Sequence, residues 1–350
     1  MTEESFRLEM LSAFQAHKRC CPALRGQDAV KFVFQGMLGV GHLLSSRERT
    51  AGYIASEMNG LQPDSREPLF ESLSPDWCRL NLRRALADHL PPDVIAGMMA
   101  ASRPAFSFTR NDVAETCRRW IASGEISDPD GPGVDSILNE NFLPSHSPEY
   151  RAGYHPAYRV VSADWIRCIV AVREICRKQS AGRLLVTVDG PCASGKTTLA
   201  SRLAEVFQAS VAHTDDYVVP HARKTPERLS VPGGNCDVER LVREIVIPWK
   251  QGKPVLYRRY DCAADSLLPP QALPCGGILV LEGSYCNLPP VREHADVRVF
   301  LDVPWKTRKE RLEKRESPDS LKNFRDRWIP LENAYFSAFR LPDADCVVCS

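Results

Sequence analysis

One stretch of this sequence combines glycines, a lysine and a hydroxyl in an order that binds phosphate: Gly190-Pro-Cys-Ala-Ser-Gly195-Lys196-Thr197. It fits G-x-x-x-x-G-K-[ST], with an apolar β-rich run over residues 183–189 before it and a helical pattern over residues 196–207 after it. The glycines let backbone N–H groups curl around phosphate oxygens, and the start of the following helix adds positive potential. The main chain of Gly190, Ala193, Ser194, Gly195, Lys196, Thr197 and Thr198 is expected to bind a nucleotide, with Lys196 reaching the β- and γ-phosphates and the Thr197 hydroxyl holding Mg²⁺. Glu282 ends the apolar run Ile-Leu-Val-Leu, where a carboxylate beside a phosphate loop contacts the metal or its water. In His213-Thr-Asp215-Asp216-Tyr217, an acidic side chain can orient an acceptor hydroxyl and take its proton. Residues 306–315 carry six cations, among which Arg308, Arg311 and Arg315 recur at spacings of three and four and so share one helical face. That face can close over a triphosphate, or it can be a solvated helix laced by Glu310 and Glu313.

These groups need a scaffold, and the chain divides by texture into two. Residues 183–350 alternate short β-rich runs, at 183–189, 210–213, 278–282, 297–302 and 346–349, with helical stretches. That alternation predicts a parallel sheet covered by helices on both faces. Residues 1–178 read as mainly helical, with apolar spacings over 6–17, 27–37, 76–88, 93–101, 112–122 and 162–178, and strand-like alternation is scarce. The boundary falls at Gln179-Ser180-Ala181-Gly182, which predicts a helical domain over 1–180 and an α/β phosphate-loop domain over 181–350.

Composition narrows the function. The 350 residues suit two domains, and 43% hydrophobic with 25% charged is an ordinary globular balance. A formal charge of +1 argues against a general nucleic-acid or membrane-surface binder. No apolar run approaches the ~18–20 residues of a membrane span, and the charged N-terminus has no signal-peptide core, so a cytoplasmic protein is expected. The 13 cysteines lack a repeating spacing and are expected to be reduced thiols that act as small hydrophobes.

The ordered blocks of the second half resemble the uridine kinase family of P-loop nucleoside kinases, with its phosphoribulokinase-like and pantothenate-kinase-like relatives. The resemblance rests on Asp189-Gly-Pro-Cys-Ala-Ser-Gly-Lys-Thr, Thr214-Asp-Asp-Tyr, Pro232-Gly-Gly-Asn-Cys-Asp237, Tyr257-Arg-Arg-Tyr260-Asp261-Cys, Glu282-Gly-Ser-Tyr285 and the late segment from Arg327 to Phe336. It implies a P-loop kinase domain that uses ATP and Mg²⁺, with Asp215 as catalytic base, Lys196, Arg311 and Arg315 neutralising the moving phosphoryl group, and Thr197 with Glu282 at the metal. It further implies Asp237, Tyr260 and Asp216 at the acceptor. The family's pyrimidine-reading His-Ser-Arg segment is replaced by Ala263-Ala-Asp-Ser-Leu267, so the resemblance implies phosphate transfer to a hydroxyl of a small nucleoside-, sugar- or vitamin-like acceptor and not uridine in particular. The alternative is a nucleotide-binding switch whose helical domain senses a ligand or partner.

Three further features stand apart. Cys192 lies inside the phosphate loop, where a helix N-terminus and Lys196 are expected to lower a thiol's pKa. Gln35-Gly-Met-Leu-Gly39-Val-Gly41-His42 suggests a tight turn with close backbone approach. The block from His146 to Arg159, rich in His, Tyr and Arg, reads either as a ligand-binding loop or as aromatic packing under a loop. His42, His146 and Glu149 have no specific metal spacing, and no metal is expected there.

Overall fold

A computed structural model of the chain describes residues 2–39, 46–127, 133–179, 182–274 and 276–349. Gly41, His42, the Ser180-Ala181 part of the expected boundary and Cys275 lie outside the described residues. The chain separates into two compact units, Met1–Ile166 and Arg167–Ser350, a division that falls inside the helix Trp165–Lys178.

The first unit is built mostly of helices. Glu3–Cys20 begins at a reciprocal cap, in which Thr2 and Ser5 each bond the other's backbone N–H. Gly26–Leu38 is buried along most of its length. Arg110–Ala122 opens on a second reciprocal cap, between Thr109 and Asp112.

Two readings of this half are corrected. Residues 76–88 are not one helix: a strand, Trp77–Asn81, turns at Asn81 into the helix Leu82–Ala87. The strand is the middle of an antiparallel sheet with Phe70–Ser72 and Tyr158–Ser162. Four of its five residues are buried, so it shows no polar alternation, and the two strands beside it are short. Ser162 ends a strand, and the next helix starts three residues later at Trp165.

The second unit holds a five-stranded parallel sheet in the order Cys346–Cys349, Val297–Asp302, Leu184–Asp189, Ile278–Glu282, Ser210–His213. Leu184–Asp189 and Ile278–Glu282 are buried at every position, as a central parallel strand covered on both faces must be. Leu185, Leu281, Ile245, Trp249 and Tyr335 belong to the core on this sheet. Register places Glu282 beside both Val188 and His213. The carboxyl ends of the middle strands therefore lie along one edge, the edge where open α/β sheets receive their ligands. The block Tyr257–Asp261 falls in two small antiparallel pairs, Val255–Tyr257 with Gln271–Leu273 and Tyr260–Asp261 with Ser266–Leu267.

Candidate active site

The phosphate loop leaves the sheet at Asp189, whose buried carboxylate accepts the Gly190 N–H at 2.7 Å. Gly190 has φ +144°, and a Cβ there would stand 2.7 Å from the Leu301 carbonyl oxygen, so only glycine passes the neighbouring strand. Gly195, at φ +100°, opens the helix Lys196–Phe207. Lys196 Nζ folds back onto the carbonyls of Gly190 at 2.8 Å and Pro191 at 3.1 Å. The ammonium is thus parked in the mouth of the loop.

A cavity of about 450 Å³ opens over this loop. Ala193, Gly195, Lys196, Thr197 and Thr198 line it together with Asp215, Glu282 and Arg315. The Thr197 hydroxyl donates to Glu282 Oε1 at 3.2 Å, and His213 Nδ1 stands 2.6 Å from the same oxygen. The Glu282 hydrogen bond raises the pKa of His213 above the ordinary imidazole value. Thr197 and Glu282 form a pair of hard oxygen donors of the kind Mg²⁺ takes alongside water and phosphate oxygens. Among the described residues no cluster of three or more His, Cys, Asp or Glu side chains could hold a metal by itself.

Asp215 lines the cavity as the exposed residue of the short 3₁₀ segment Thr214–Tyr217, between buried Thr214 and Asp216. Desolvation by the surrounding cavity wall raises its pKa above the usual carboxylate value, with Lys196 opposing and Glu282 and Glu332 adding to the rise. Gly283, at φ +126°, keeps this floor open, since a Cβ there would fall 2.1 Å from the Thr214 hydroxyl.

The cationic segment forms the helix Trp305–Arg315. Arg311 Nη1 donates to the carbonyls of Ala193 at 3.0 Å and Ser194 at 3.2 Å, so it braces the loop's own backbone. Arg315 reaches the cavity and pairs with Glu316 at 2.6 Å. Arg308 bonds the Val303 carbonyl and approaches Cys192 Sγ at 3.9 Å.

Three expected acceptor residues are not among those lining the cavity. Asp237 is buried and held by Arg223 at 2.9 Å and Arg240 at 3.7 Å. Asp216 Oδ1 takes Arg259 at 2.7 Å, while its Oδ2 is buried without a partner. The Tyr260 hydroxyl is turned onto Asp265, a hydrogen bond that pushes its pKa up to about 12. In their place the cavity takes Asn235, Tyr285, Cys262, Phe324, Trp328 and Glu332. Of these, Glu332 was within reach of the sequence through the late Arg327–Phe336 segment, but nothing local marked its role.

The Cys192 expectation is corrected. Burial, reinforced by the Glu332 carboxylate, pushes this thiol up to about 11, and these outweigh Arg308 and Lys196.

In the first unit the His146–Arg159 block joins a buried polar network. His146 stacks on Tyr150 at 4.3 Å, takes Asp28 at 3.0 Å on Nδ1 and meets the Tyr158 hydroxyl at 2.7 Å on Nε2. Burial lowers the pKa of His146 to about 4. Burial alone would raise Asp28, but hydrogen bonds from His146, Ser147 and the Arg25 amide bring it down to about 2. His17 bridges Glu71 and the Tyr150 hydroxyl, and Arg79, 2% exposed, lies against Glu71 and over the Tyr158 ring. Glu149 is outside this network, on the surface near Arg25.

A sequence profile described as AAA domain matches residues 186–330. No curated protein matches the chain. A solved structure described as a candidate uridine kinase from Bacillus stearothermophilus is 23% identical, over 52% of this chain and 98% of its own, with a TM-score of 0.41. Another, described as a candidate fructose transport system kinase from Silicibacter sp. TM1040, is 25% identical, over 53% of this chain and 98% of its own, with a TM-score of 0.42. No helix among the described residues is long and apolar enough to cross a membrane.

Proposed function

We propose that the second unit is a kinase that transfers the γ-phosphate of ATP to a hydroxyl of a small neutral or ionic metabolite, nucleoside-, sugar- or vitamin-like in class. The observation that carries this reading is one cavity in which the phosphate loop, the Thr197–Glu282 oxygen pair and the Asp215 carboxylate face one another. A switch protein needs the first two of these; a carboxylate of raised proton affinity beside them suits proton transfer.

In this mechanism Lys196 leaves the Gly190 and Pro191 carbonyls for the phosphates. Asp215 accepts the proton of the acceptor hydroxyl as its oxygen bonds the γ-phosphorus and the bond to the β–γ bridging oxygen breaks, releasing ADP. Arg315 enters from the helix Trp305–Arg315 to balance charge on the moving group, while Arg311 keeps the loop in shape. Thr197 and Glu282 would hold Mg²⁺, which when bound neutralises phosphate charge. Most of the rate gain is positioning and electrostatics, because phosphoryl transfer asks little covalent chemistry of the protein.

The test is ADP release from Mg·ATP with a panel of nucleosides, sugars and vitamins. Acceptor-dependent turnover is the expected result. ATP binding without stimulation by any acceptor would overturn it in favour of a nucleotide-dependent regulator.

A further inference from the structure

The phosphate loop already holds an anion, and that anion belongs to the chain. Glu332, 6% exposed, stands on the helix Ile329–Ala338. Its Oε2 accepts the Cys192 N–H at 2.9 Å, and its Oε1 accepts the Ser284 hydroxyl at 2.5 Å. One turn later the same helix sends Tyr335 to Asp189, whose Oδ2 accepts the phenol at 2.7 Å. A single helical face therefore grips the loop at the residue before its first glycine and again at Cys192.

A cradle of loop amides is built for phosphate oxygens. A carboxylate seated on one of those amides is a like-charged competitor for the same N–H. Glu332 also lines the cavity with Asp215 and Lys196, so it occupies the side of the loop that faces the proton acceptor. In the kinase reading the phosphate nearest Asp215 is the one to be transferred.

Resting on the kinase reading above, we infer that Glu332 senses the terminal phosphate: a bound triphosphate takes the Cys192 N–H from its carboxylate, and a diphosphate leaves the pair intact. Expulsion of Glu332 also releases the Ser284 hydroxyl. The helix that carries Glu332 continues directly from the π-helical segment Phe324–Trp328, and both Phe324 and Trp328 form part of the cavity wall. Displacing the carboxylate therefore shifts the wall against which the acceptor must fit. Glu332 is a positioning residue in this scheme: it makes the acceptor side answer to the third phosphate.

The experiment measures binding of ADP and of the non-hydrolysable triphosphate AMP-PNP, with Mg²⁺, to the full chain and to its Glu332→Gln and Glu332→Ala variants. In both variants AMP-PNP is expected to bind about tenfold tighter while ADP stays within about twofold, a difference of ordinary coupling size. In the wild type AMP-PNP, but not ADP, changes the intrinsic fluorescence, and Trp328→Phe removes that change. An unaltered AMP-PNP to ADP ratio in the variants, or weaker AMP-PNP binding, would show that Glu332 only braces the loop and would overturn the inference. An equal fluorescence change with ADP would do the same. Failure of the wild type to bind either nucleotide would overturn the kinase reading itself, and the sensor with it.

Discussion

Arg223 closes on Asp237 through an ion pair of 2.9 Å, the carboxylate buried and the guanidinium half-exposed. On its inner side the same carboxylate faces buried Arg240 at 3.7 Å. The two partners are not equivalent. Asp237→Ala removes a buried carboxylate that accepts a hydrogen bond from Arg223 and faces Arg240, and is expected to cost about 2–3 kcal/mol. Arg223→Ala removes an exposed partner and is expected to cost less than about 1 kcal/mol. Denaturant unfolding of both variants checks the asymmetry, and equal losses would show that Arg223 rather than Arg240 balances the buried charge.

Asp215 sets the next expectation. Desolvation at the cavity wall raises its pKa, and the group works as a base only when ionised. The acid limb of kcat/KM should therefore lie above the usual carboxylate range, with activity rising as pH climbs through it and levelling off beyond. Asp215→Asn should bind ATP normally and lose transfer by about 10²–10⁴-fold. A steady-state pH profile and a nucleotide titration test both points, and retained transfer in the variant would remove Asp215 from the mechanism.

Cys192 and Cys262 both line the cavity, but only Cys262 is an exposed thiol. The Cys192 thiol is pushed up to about 11 and so holds little thiolate at neutral pH. Iodoacetamide is expected to act on the site through Cys262. Cys262→Ser should then abolish inactivation of nucleotide binding, and Cys192→Ser should leave it unchanged. The reverse pattern would mean that the loop opens far enough to expose Cys192.

How legible this site was depended on sequence distance. The phosphate loop could be read because its glycines, Lys196 and Thr197 are contiguous and its strand and helix adjoin it. Glu282 and Asp215 followed because each ends or follows a short apolar run. Glu332 could not be assigned a role, because its partner amide is 140 residues away and only the fold joins them. The locked state of Asp237 was equally hidden, since Arg223 reaches it from a separate short turn. In the first half, Arg79 sits on a strand whose neighbours are nearly all buried, so its run resembled a helical stripe, and its meeting with His17 and Tyr158 needs three separate elements.

That buried arginine makes its own prediction. Arg79 has Glu71 at 3.3 Å as its carboxylate partner, and the rings of Phe32 and Tyr158 pack on the guanidinium. Arg79→Ala leaves Glu71 and His17 in a site shaped for a cation, and a loss of about 3 kcal/mol is expected. The paired Arg79→Met, Glu71→Gln variant should recover much of that loss, since no unpaired charge then remains. A double variant as unstable as Arg79→Ala alone would place the cost in lost packing instead of in charge.

Asp189 ties stability to pH in the sense opposite to an ordinary salt-bridged carboxylate. Complete burial raises its pKa from 3.8 to about 6, although Tyr335, the Gly190 amide and the Asn287 amide all donate to it. The folded chain thus holds this proton more tightly than the unfolded chain does. The stabilisation is fully present below the unfolded value and fades as pH rises through about 6. Between pH 7.5 and 4.5 the wild type should gain about 2 kcal/mol relative to Asp189→Asn, which has no proton to bind at this position. Urea unfolding of both proteins across that interval measures the difference directly. If the two curves ran parallel, Asp189 would be ionised throughout, and its three donors would have to outweigh the cost of burying the charge.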